Sequence, residues 1–450
     1  MNAIEYKRTW ENGQKNFAKM EHSKAICKLM DIELNDIIDF PNQPYEKIRE
    51  YQLKKIIKLV DYAYKNIPLY REKYDAVGFK PGDIKTFEDF EKLPFLYKDE
   101  LIDGFPDKIV KDQKDWDIST RSSGSSGRFA TIALDVDAIY HDTMQGIRQY
   151  VRQSDFKYKK SDRVLFIYTC PWWISDIYGD YELDFLPTTT NVKETVEHIK
   201  KTRPFIISTY PTYLSKICSL KVKLSDYGVG YVIVHSEQSD KKTRDKMAKA
   251  LGVTIYDEYS SEELTRIALE CSGGLYHIEE DASYIEVIDR DTHKNITDGV
   301  GVVVGTNLIN KVTPLIRYWQ NDVVTIDSKV KCSCGSHFRT ITKVNGREMD
   351  CIISKNEKIP ASAFMDLAYN WFLKKRVSVM GMKYQIAQVA NDEIVVYLQK
   401  GIYDLTNDEE YLIKDSLYSL VDKSMNVKIQ YTNRFIQSSS KFKPVIRIFD

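Results

Sequence analysis

The sequence predicts an α/β fold: a large N-terminal domain of layered α/β sheets with an attached β subdomain, then a small C-terminal α+β domain. Three observations predict it. The middle third alternates short apolar strand patterns with amphipathic helical ones, strand patterns then follow one another without helices from about residue 283, and the last hundred residues carry their own helix, strands and turns.

Residues 44 to about 67 place Ile48, Tyr51, Leu53, Ile56, Ile57, Val60 and Tyr64 at helical spacing, which predicts a scaffold helix. A stretch that reads as loop-rich, KPGDIKTFEDFEKLPFLYKDELIDGF, leads to a low-complexity island, Arg121-Ser122-Ser123-Gly124-Ser125-Ser126-Gly127-Arg128, set as a loop between two short strand-like runs. Then come VLFIY (164–168), a helix near 191–202, PFIIST (204–209), a helix near 211–220, YVIVH (231–235), a helix near 240–251 and VTIYDEY (253–259). Such alternation builds a parallel sheet covered by helices on both faces, because each crossover returns the chain to the same sheet edge. Ser239 or Asp240 is available to cap the helix near 240–251, and Gly252 to stop it. SYIEVID, GVGVVVGTNLI and VVTI read as an antiparallel meander. Past a boundary near 346–350 follow a helix started by Pro360, strands at 384–390 and 393–399, a helix opened by the capping box Thr406-Asn407-Asp408-Glu409, and a final strand KVKIQY. The domains are accordingly set at 1–348, with the β subdomain at about 265–345, and 349–450.

Composition narrows the classes of function. The 450 residues correspond to roughly three domain-sized units. Sixty-five basic side chains balance 65 acidic ones, which leaves no broad basic footprint for nucleic acid or a membrane surface. The N-terminus has no apolar run fit for a secretory signal, and nowhere do about 18 apolar residues occur in a row, so a cytoplasmic protein is expected. Seven cysteines are an odd number and sparse for the length, which argues for metal binding or plain burial over a disulfide framework.

Four constellations carry candidate chemistry. In the Ser/Gly island, glycines let successive backbone N–H groups converge on an anion, hydroxyls add donors, and Arg121 and Arg128 add charge; a flexible polar linker has the same composition. It is not a Walker A loop, since no Gly-Lys-Ser/Thr is present and FATIALD after it reads as a strand. Next, if strands 231–235 and 253–257 are parallel neighbours, His235-Ser236-Glu237 and Tyr259-Ser260-Ser261-Glu262-Glu263 leave the sheet at its carboxyl edge and share one crevice, as a nucleotide with its metal requires. The alternative is that these glutamates cap or flank helices. Third, Cys271-x5-His277 precedes Cys332-Ser-Cys334-Gly335, the ligand set of a closed structural zinc site that would staple the β subdomain, unless the thiols are merely buried or His337 competes. Fourth, Pro314-Leu315-Ile316-Arg317-Tyr318-Trp319-Gln320-Asn321-Asp322 places a carboxylate after an apolar strand, where it could accept from both hydroxyls of a ribose; taken alone, Arg317 and Asp322 read as a surface pair.

In order and spacing these segments resemble those of the adenylate-forming enzymes. Ser122 to Gly127 resembles their SSG-T/S-T/S-G phosphate loop, Tyr256 to Glu263 their Y-D-x-Y-G-x-S-E segment, Thr313 to Asp322 their P-L-x-R-Y-x-x-x-D segment, and Gly346-Arg347 their G-R approach to the hinge. Glu270-Cys271, Gly274-Leu275-Tyr276-His277-Ile278 and Cys332-Ser333-Cys334-Gly335 are similar to the E-C, G-L-H-I and C-x-C-G segments of the phenylacetate-CoA ligase branch. The resemblance spans about residues 45 to 445.

It implies an ATP- and Mg2+-dependent ligase that turns a carboxylate into acyl-AMP and pyrophosphate, then passes the acyl group to CoA or another thiol. An amine or a carrier protein as acceptor, and a non-catalytic zinc-stapled binding protein, are the alternatives. The implied roles are that Ser122, Ser123, Gly124, Ser125, Ser126 and Gly127 hold the β- and γ-phosphates, and Tyr259 stacks on adenine beside Ser260. Ser236 and Glu237 would lie beside the adenine and acyl pocket, Asp322 would bind the ribose, and Glu263 would hold magnesium. Arg347 approaches the hinge, and Lys441 is the lysine of a mobile C-terminal lid, bridging carboxylate and α-phosphate when the lid closes. The zinc ligands are Cys271, His277, Cys332 and Cys334. Trp172, Trp173 and Tyr210 follow strands at the same carboxyl edge and would suit a flat aryl or other apolar acid, or belong to the core. The chain departs from the family at Ser260 (Gly), Phe129 (Pro), Met349 (the hinge Asp), Asn356 near a loop glycine, and Ser440 before Lys441. The hinge changes bear on thioester formation more than on adenylation. A monomer or homodimer is expected.

Overall fold

The structure is a computed structural model that describes residues 20–111, 118–121, 130–168, 181–347, 351–355, 357–359, 361, 363–364, 367–368, 384–400, 404–436 and 443–448. Helices α1 (Met20–Asp39), α2 (Tyr45–Asn66) and α3 (Pro68–Asp75) come first. α2 spans the segment whose apolar spacing predicts it and buries Ile48, Ile56, Leu59, Val60 and Ala63. The stretch expected to be loop-rich holds two short helices: Thr86 and Asp89 close a capping box over Phe87–Phe90, and α4 (Lys98–Gly104) follows. Segments this short are set by their caps and leave no readable periodicity.

Strands β1 (Ile118–Arg121) and β2 (Thr131–Leu134), which flank the Ser/Gly island, pair antiparallel with Arg121 opposite Thr131. Helix α5 (Val136–Gln153) starts at Asp135, whose carboxylate accepts from the Ala138 N–H at 2.8 Å. The alternating region then delivers β3 (Val164–Tyr168), β4 (Leu183–Pro187), α6 (Val192–Thr202), β5 (Ile206–Thr209), α7 (Pro211–Ser219), β6 (Tyr231–His235), α8 (Lys241–Leu251) and β7 (Thr254–Ser261). Asp240 is the cap of α8, accepting from the Thr243 N–H at 2.8 Å, and Gly252 ends it at φ +71°.

Among the described residues these strands belong to one eight-stranded sheet, in the order β13 (Thr340–Ile341), β9 (Tyr276–Ile278), β8 (Thr265–Glu270), β7, β6, β5, β3, β4. Its β4-β3-β5-β6-β7 part is parallel. Successive strand residues face opposite cores, as a period of two demands: Leu165, Ile167, Val232 and Val234 pack with α6, α7 and α8, while Val164, Phe166, Tyr231 and Ile233 pack with α5.

The remaining strands divide differently from the expected β subdomain. β8 (Thr265–Glu270), β9 (Tyr276–Ile278) and β13 (Thr340–Ile341) add antiparallel to β7 and extend the large sheet. The antiparallel sheet proper is β10 (Ser283–Ile288), β11 (Gly299–Asn307), β12 (Tyr318–Ile326) and β14 (Lys343–Arg347), joined in that order. The reason is the reversal at Glu262–Thr265, which turns the chain back onto β7 before the meander begins. Gly305 of β11 allows it, since a Cβ there would overlap the Leu264 side chain, which lies buried on that strand.

The C-terminal residues have a core of their own, built from Ile352, Phe364, Ile386, Val396, Leu398, Ile413 and Leu417 among others. β15 (Ile352–Ser354) pairs with β16 (Glu357–Ile359). β17 (Tyr384–Ala390), β18 (Glu393–Gln399), β19 (Asn426–Thr432) and β20 (Val445–Arg447) form a sheet in the order β19-β18-β17-β20. β19, expected as the final strand, is followed by β20, whose three residues gave no pattern. Helix α9 (Asn407–Leu417) carries both bonds of the Thr406/Glu409 capping box, and the described residues of 361–368 are helical. Among the described residues no helix is long and apolar enough to cross a membrane.

Candidate active site

Two sheets meet at the carboxyl end of β7, and side chains spaced two apart on each make the contact. Tyr259 donates its hydroxyl to Asp322 Oδ2 at 2.8 Å, Gln320 donates to Ser261 Oγ at 2.9 Å, and Tyr318 donates to Glu263 Oε1 at 3.1 Å. Residues 318, 320 and 322 thus descend β12 as 263, 261 and 259 ascend toward it, a side-chain ladder joining segments some 60 positions apart in sequence. Tyr259, Glu263, Tyr318, Gln320 and Asp322 are all buried. Desolvation first, then the neighbouring carboxylate, pushes the Tyr259 and Tyr318 phenols well above their usual range, so both remain donors.

The second oxygen of Asp322 faces Arg347, whose Nε lies 3.4 Å from Oδ1, because Asp322 and Arg347 are register partners on β12 and β14. β14 reaches that register through Gly346 at φ +99°, where the Gln238 amide packs so closely that a Cβ would sit 2.9 Å from its Nε2. Gln238 also donates to the Asn345 carbonyl at 3.3 Å, which ties the loop after β6 to the approach to residue 348. A β-bulge falls between Tyr259 and Ser260, a device that re-aims side chains at a strand end.

The root of the Ser/Gly island reaches the same place. Thr120, two residues before Ser122, donates its hydroxyl to the Glu262 carboxylate beside Glu263. Ser122, Ser123, Gly124, Ser125, Ser126 and Gly127 themselves, with Phe129, Trp172, Trp173, Met349, Asn356, Ser440 and Lys441, lie outside the described residues.

The loop after β6 is arranged differently from a free ligand-binding loop. Ser236, at φ +66°, bonds its neighbour His235 through Oγ and Nδ1 at 2.8 Å. Glu237 accepts from the Thr212 N–H and hydroxyl, both at 3.0 Å, and so caps the N-terminus of α7; the capping role weighed for it is the one its carboxylate fills here. Tyr210 stacks on Tyr168 at 6.1 Å between centroids, and both rings contact the His235 ring edge-on, at 5.2 and 4.5 Å. Tyr168 is anchored to Ser208 at 2.8 Å. Aromatic rings therefore do collect where three parallel strands end.

Arg317 corrects the expectation of a surface pair with Asp322. It is buried at φ +51°, forks onto Glu286 at 2.7 and 3.0 Å, and donates to the carbonyls of Glu91 and Leu93. It fixes the segment before α4 against β12, with Leu96 bridged to Tyr318. That brings up Lys98, which sequence did not single out. It is partly buried: burial lowers its ammonium's pKa, Glu263 opposes the shift and Arg347 adds to it. A single lysine among 65 basic residues carries no signal of its own. Tyr318, Gln320 and Ser261 stood inside the quoted segments without a role of their own, although the two-residue spacing from Asp322 could have found one for the first two.

The three cysteines and one histidine form a separate group at the edge of the large sheet. One donor atom from each of Cys271, His277, Cys332 and Cys334 lies within 4.8 Å of the others. Cys271 and Cys332 sulfurs are 3.3 Å apart, and Cys334 Sγ is 3.1 Å from His277 Nε2. His277 Nδ1 faces the Phe338 carbonyl at 3.0 Å, which fixes its proton there and leaves Nε2 for an ion. A hydrogen bond from Cys271, then one from His277, outweighs burial and pulls the Cys334 thiol well below its usual range, toward the ligand form. His337 turns away to the Gln43 carbonyl at 2.8 Å. Three sulfurs and an imidazole at this spacing suit a soft divalent ion with no position left open. The group joins the loop that leaves β12 to the β8–β9 edge of the large sheet, and does not clamp a β subdomain as expected.

No family model matches the chain. Among curated proteins, phenylacetate-coenzyme A ligase of Pseudomonas putida is 24% identical over 337 residues, 70% of this chain and 74% of that one. Protein CapK of Staphylococcus aureus is 23% identical over 409 residues, 86% of this chain and 83% of that protein. Among solved structures, 2-hydroxyisobutyryl-CoA ligase in the postadenylation state with 2-HIB-AMP superposes with a TM-score of 0.75 at 17% identity, covering 90% of each chain. The same ligase in the thioesterification state, with 2-HIB-AMP and CoA, gives 0.62 at 17% identity, covering 90% and 91%.

Proposed function

From a chain that has the fold of the adenylate-forming acyl-CoA ligases and resembles the phenylacetate-CoA ligases in sequence, we propose an enzyme that adenylates a carboxylic acid with ATP and then transfers the acyl group to CoA. The observation that carries this reading is the ladder between β7 and β12. It joins the Tyr259 ring, the Asp322 carboxylate and the buried Glu263 into one cluster, and Thr120, two residues before the Ser/Gly island, bonds the adjacent Glu262.

Attack of a carboxylate on the α-phosphate is an in-line displacement, so catalysis consists of positioning and of offsetting charge. In this reading Ser122 to Gly127 hold the β- and γ-phosphates, the Tyr259 ring packs on adenine, and Asp322, braced by Tyr259 and Arg347, accepts from the ribose hydroxyls. Glu263 is the residue that would hold Mg2+, whose charge would offset that developing on the phosphates. Lys441 brings its ammonium to the carboxylate and α-phosphate oxygens. Tyr168, Tyr210 and His235 favour an aryl or other flat acid, and Trp172 and Trp173 are the further candidates for binding it. Cys271, His277, Cys332 and Cys334 would hold a structural zinc ion, remote from the chemistry, and a reducing, cytoplasmic setting keeps those thiols available.

Exchange of labelled pyrophosphate into ATP, over a panel of aryl and aliphatic acids, tests the first half-reaction. Acid-dependent exchange is expected, and ATP binding without exchange for any acid overturns it. Thioester formation with CoA, against hydroxylamine trapping of the acyl-adenylate, then distinguishes CoA from an amine or carrier-protein acceptor.

A further inference from the structure

A cavity of about 90 Å3 lies against the Cys/His group, and nothing in the adenylation chemistry uses it. Cys271, His277 and Cys334 line one side; Arg148, Gln149 and Gln153, on a single face of α5, line the other. Those three α5 side chains are at most 5% exposed, yet Arg148 Nε, Gln149 Nε2 and Gln153 Oε1 have no partner among the described residues. Unpartnered polar atoms on three residues that line one space call for a polar occupant, and at about 30 Å3 per molecule the cavity has room for about three waters.

At its outer end the cavity reaches solvent beside Asp155, Phe156 and Ser272, all exposed. The chain does something unusual there. Asp155 and Phe156 stand consecutively at φ +51° and +60°, a left-handed conformation that a bulky side chain rarely adopts. The turn is held by Asp155 N–H to the Arg152 carbonyl at 3.1 Å and Phe156 N–H to the Val151 carbonyl at 2.8 Å. It keeps the Phe156 ring 61% exposed at the mouth, with the Arg152 guanidinium 5.9 Å from its centroid.

We propose that this cavity is the channel through which the Cys/His group takes up and releases its metal ion, with the Phe156 ring, held by Arg152, as its gate. The inference rests on the reading that the four residues bind a metal. A hydrated space bordered by sulfur lets an arriving cation exchange waters for thiolates one at a time, so that it never sheds its whole hydration shell at once. Asp155 puts an exposed carboxylate at the mouth, where a cation first arrives.

The test uses the full-length, zinc-loaded protein and follows transfer of zinc to excess 4-(2-pyridylazo)resorcinol by absorbance. Phe156→Ala, and Phe156→Gly, whose backbone accepts the left-handed conformation, should release zinc about two- to fivefold faster, as loss of an exposed cation–aromatic contact predicts. Val77→Ala, at an exposed position after α3 and outside the cavity, should leave the rate unchanged. Elemental analysis comes first: no stoichiometric metal overturns both the metal reading and the channel. Metal present, with release equal in all four proteins or set by the rate of global unfolding, overturns the channel alone.

Discussion

Tyr259→Phe deletes one oxygen and with it the donor that meets Asp322 Oδ2 at 2.8 Å. A hydrogen bond to a charged group contributes about 1.5–3 kcal/mol, and the carboxylate oxygen left behind is buried, so the loss should lie in that range. If the bond braces Asp322 for the ribose, the same energy appears in the specificity constant for ATP, as a fall of about 10- to 150-fold at 1.4 kcal/mol per factor of ten. The assay is pyrophosphate exchange at varied ATP, on the wild type, Tyr259→Phe, Asp322→Asn and the double variant. In the Asp322→Asn background the Phe substitution should cost far less than in the wild type, because the partner charge has gone. Burial keeps the Tyr259 phenol protonated, so the coupling should not change across neutral and mildly alkaline pH. Equal losses from Tyr259→Phe in both backgrounds would mean that the two residues act independently, and the ladder would then be packing with no bearing on the nucleotide.

Other consequences are as direct. Cys334→Ser should abolish stoichiometric zinc and lower the melting temperature, measured by elemental analysis and calorimetry; a variant that keeps both speaks against the metal group. Arg317→Met should cost about 3–5 kcal/mol in urea unfolding by stranding buried Glu286, and adding Glu286→Leu should recover much of it; equal stability of single and double variants refutes the pairing. Burial, partly offset by Arg244, raises the Asp257 carboxyl from 3.8 to about 6. Between those values the folded chain keeps a proton that the unfolded chain has lost, so this contribution is full below about pH 4 and declines as pH rises toward 6. Asp257→Asn should lack that decline, and urea midpoints that fall in parallel for both proteins over this window would exclude it.

Strands β3, β5, β6 and β7 were legible because the first three are largely buried on both faces and helices separate β5, β6 and β7, as the one running from Asp240 to Gly252 does; β4, half-buried along its length, carried no such apolar run and was not read. Sheet membership was less so. Nothing in TRIALE or YHI tells whether β8 and β9 pair with β7 or with the meander; that depends on where Leu264 seats, which Gly305 decides from 40 residues away. In the candidate site, Tyr259, Glu263 and Asp322 stood out by chemistry and spacing. Their partners Tyr318, Gln320, Thr120 and Lys98 are common residue types whose role arises only when distant strands meet. Arg317 misled for the same reason: its neighbours in sequence include Asp322, while its neighbours in space are Glu286 and two carbonyls of the segment 91–93.

The large sheet ends at β13, a strand of only two residues, and its pairing partners on β9 are Tyr276 and His277. So short an edge offers little template for another molecule's backbone, and the loop that delivers it carries Cys332 and Cys334. An ion held by those two and by Cys271 and His277 would fasten that loop over the hydrogen-bonding rim of β9. Its service would then be colloidal, keeping one molecule's sheet from growing onto the next.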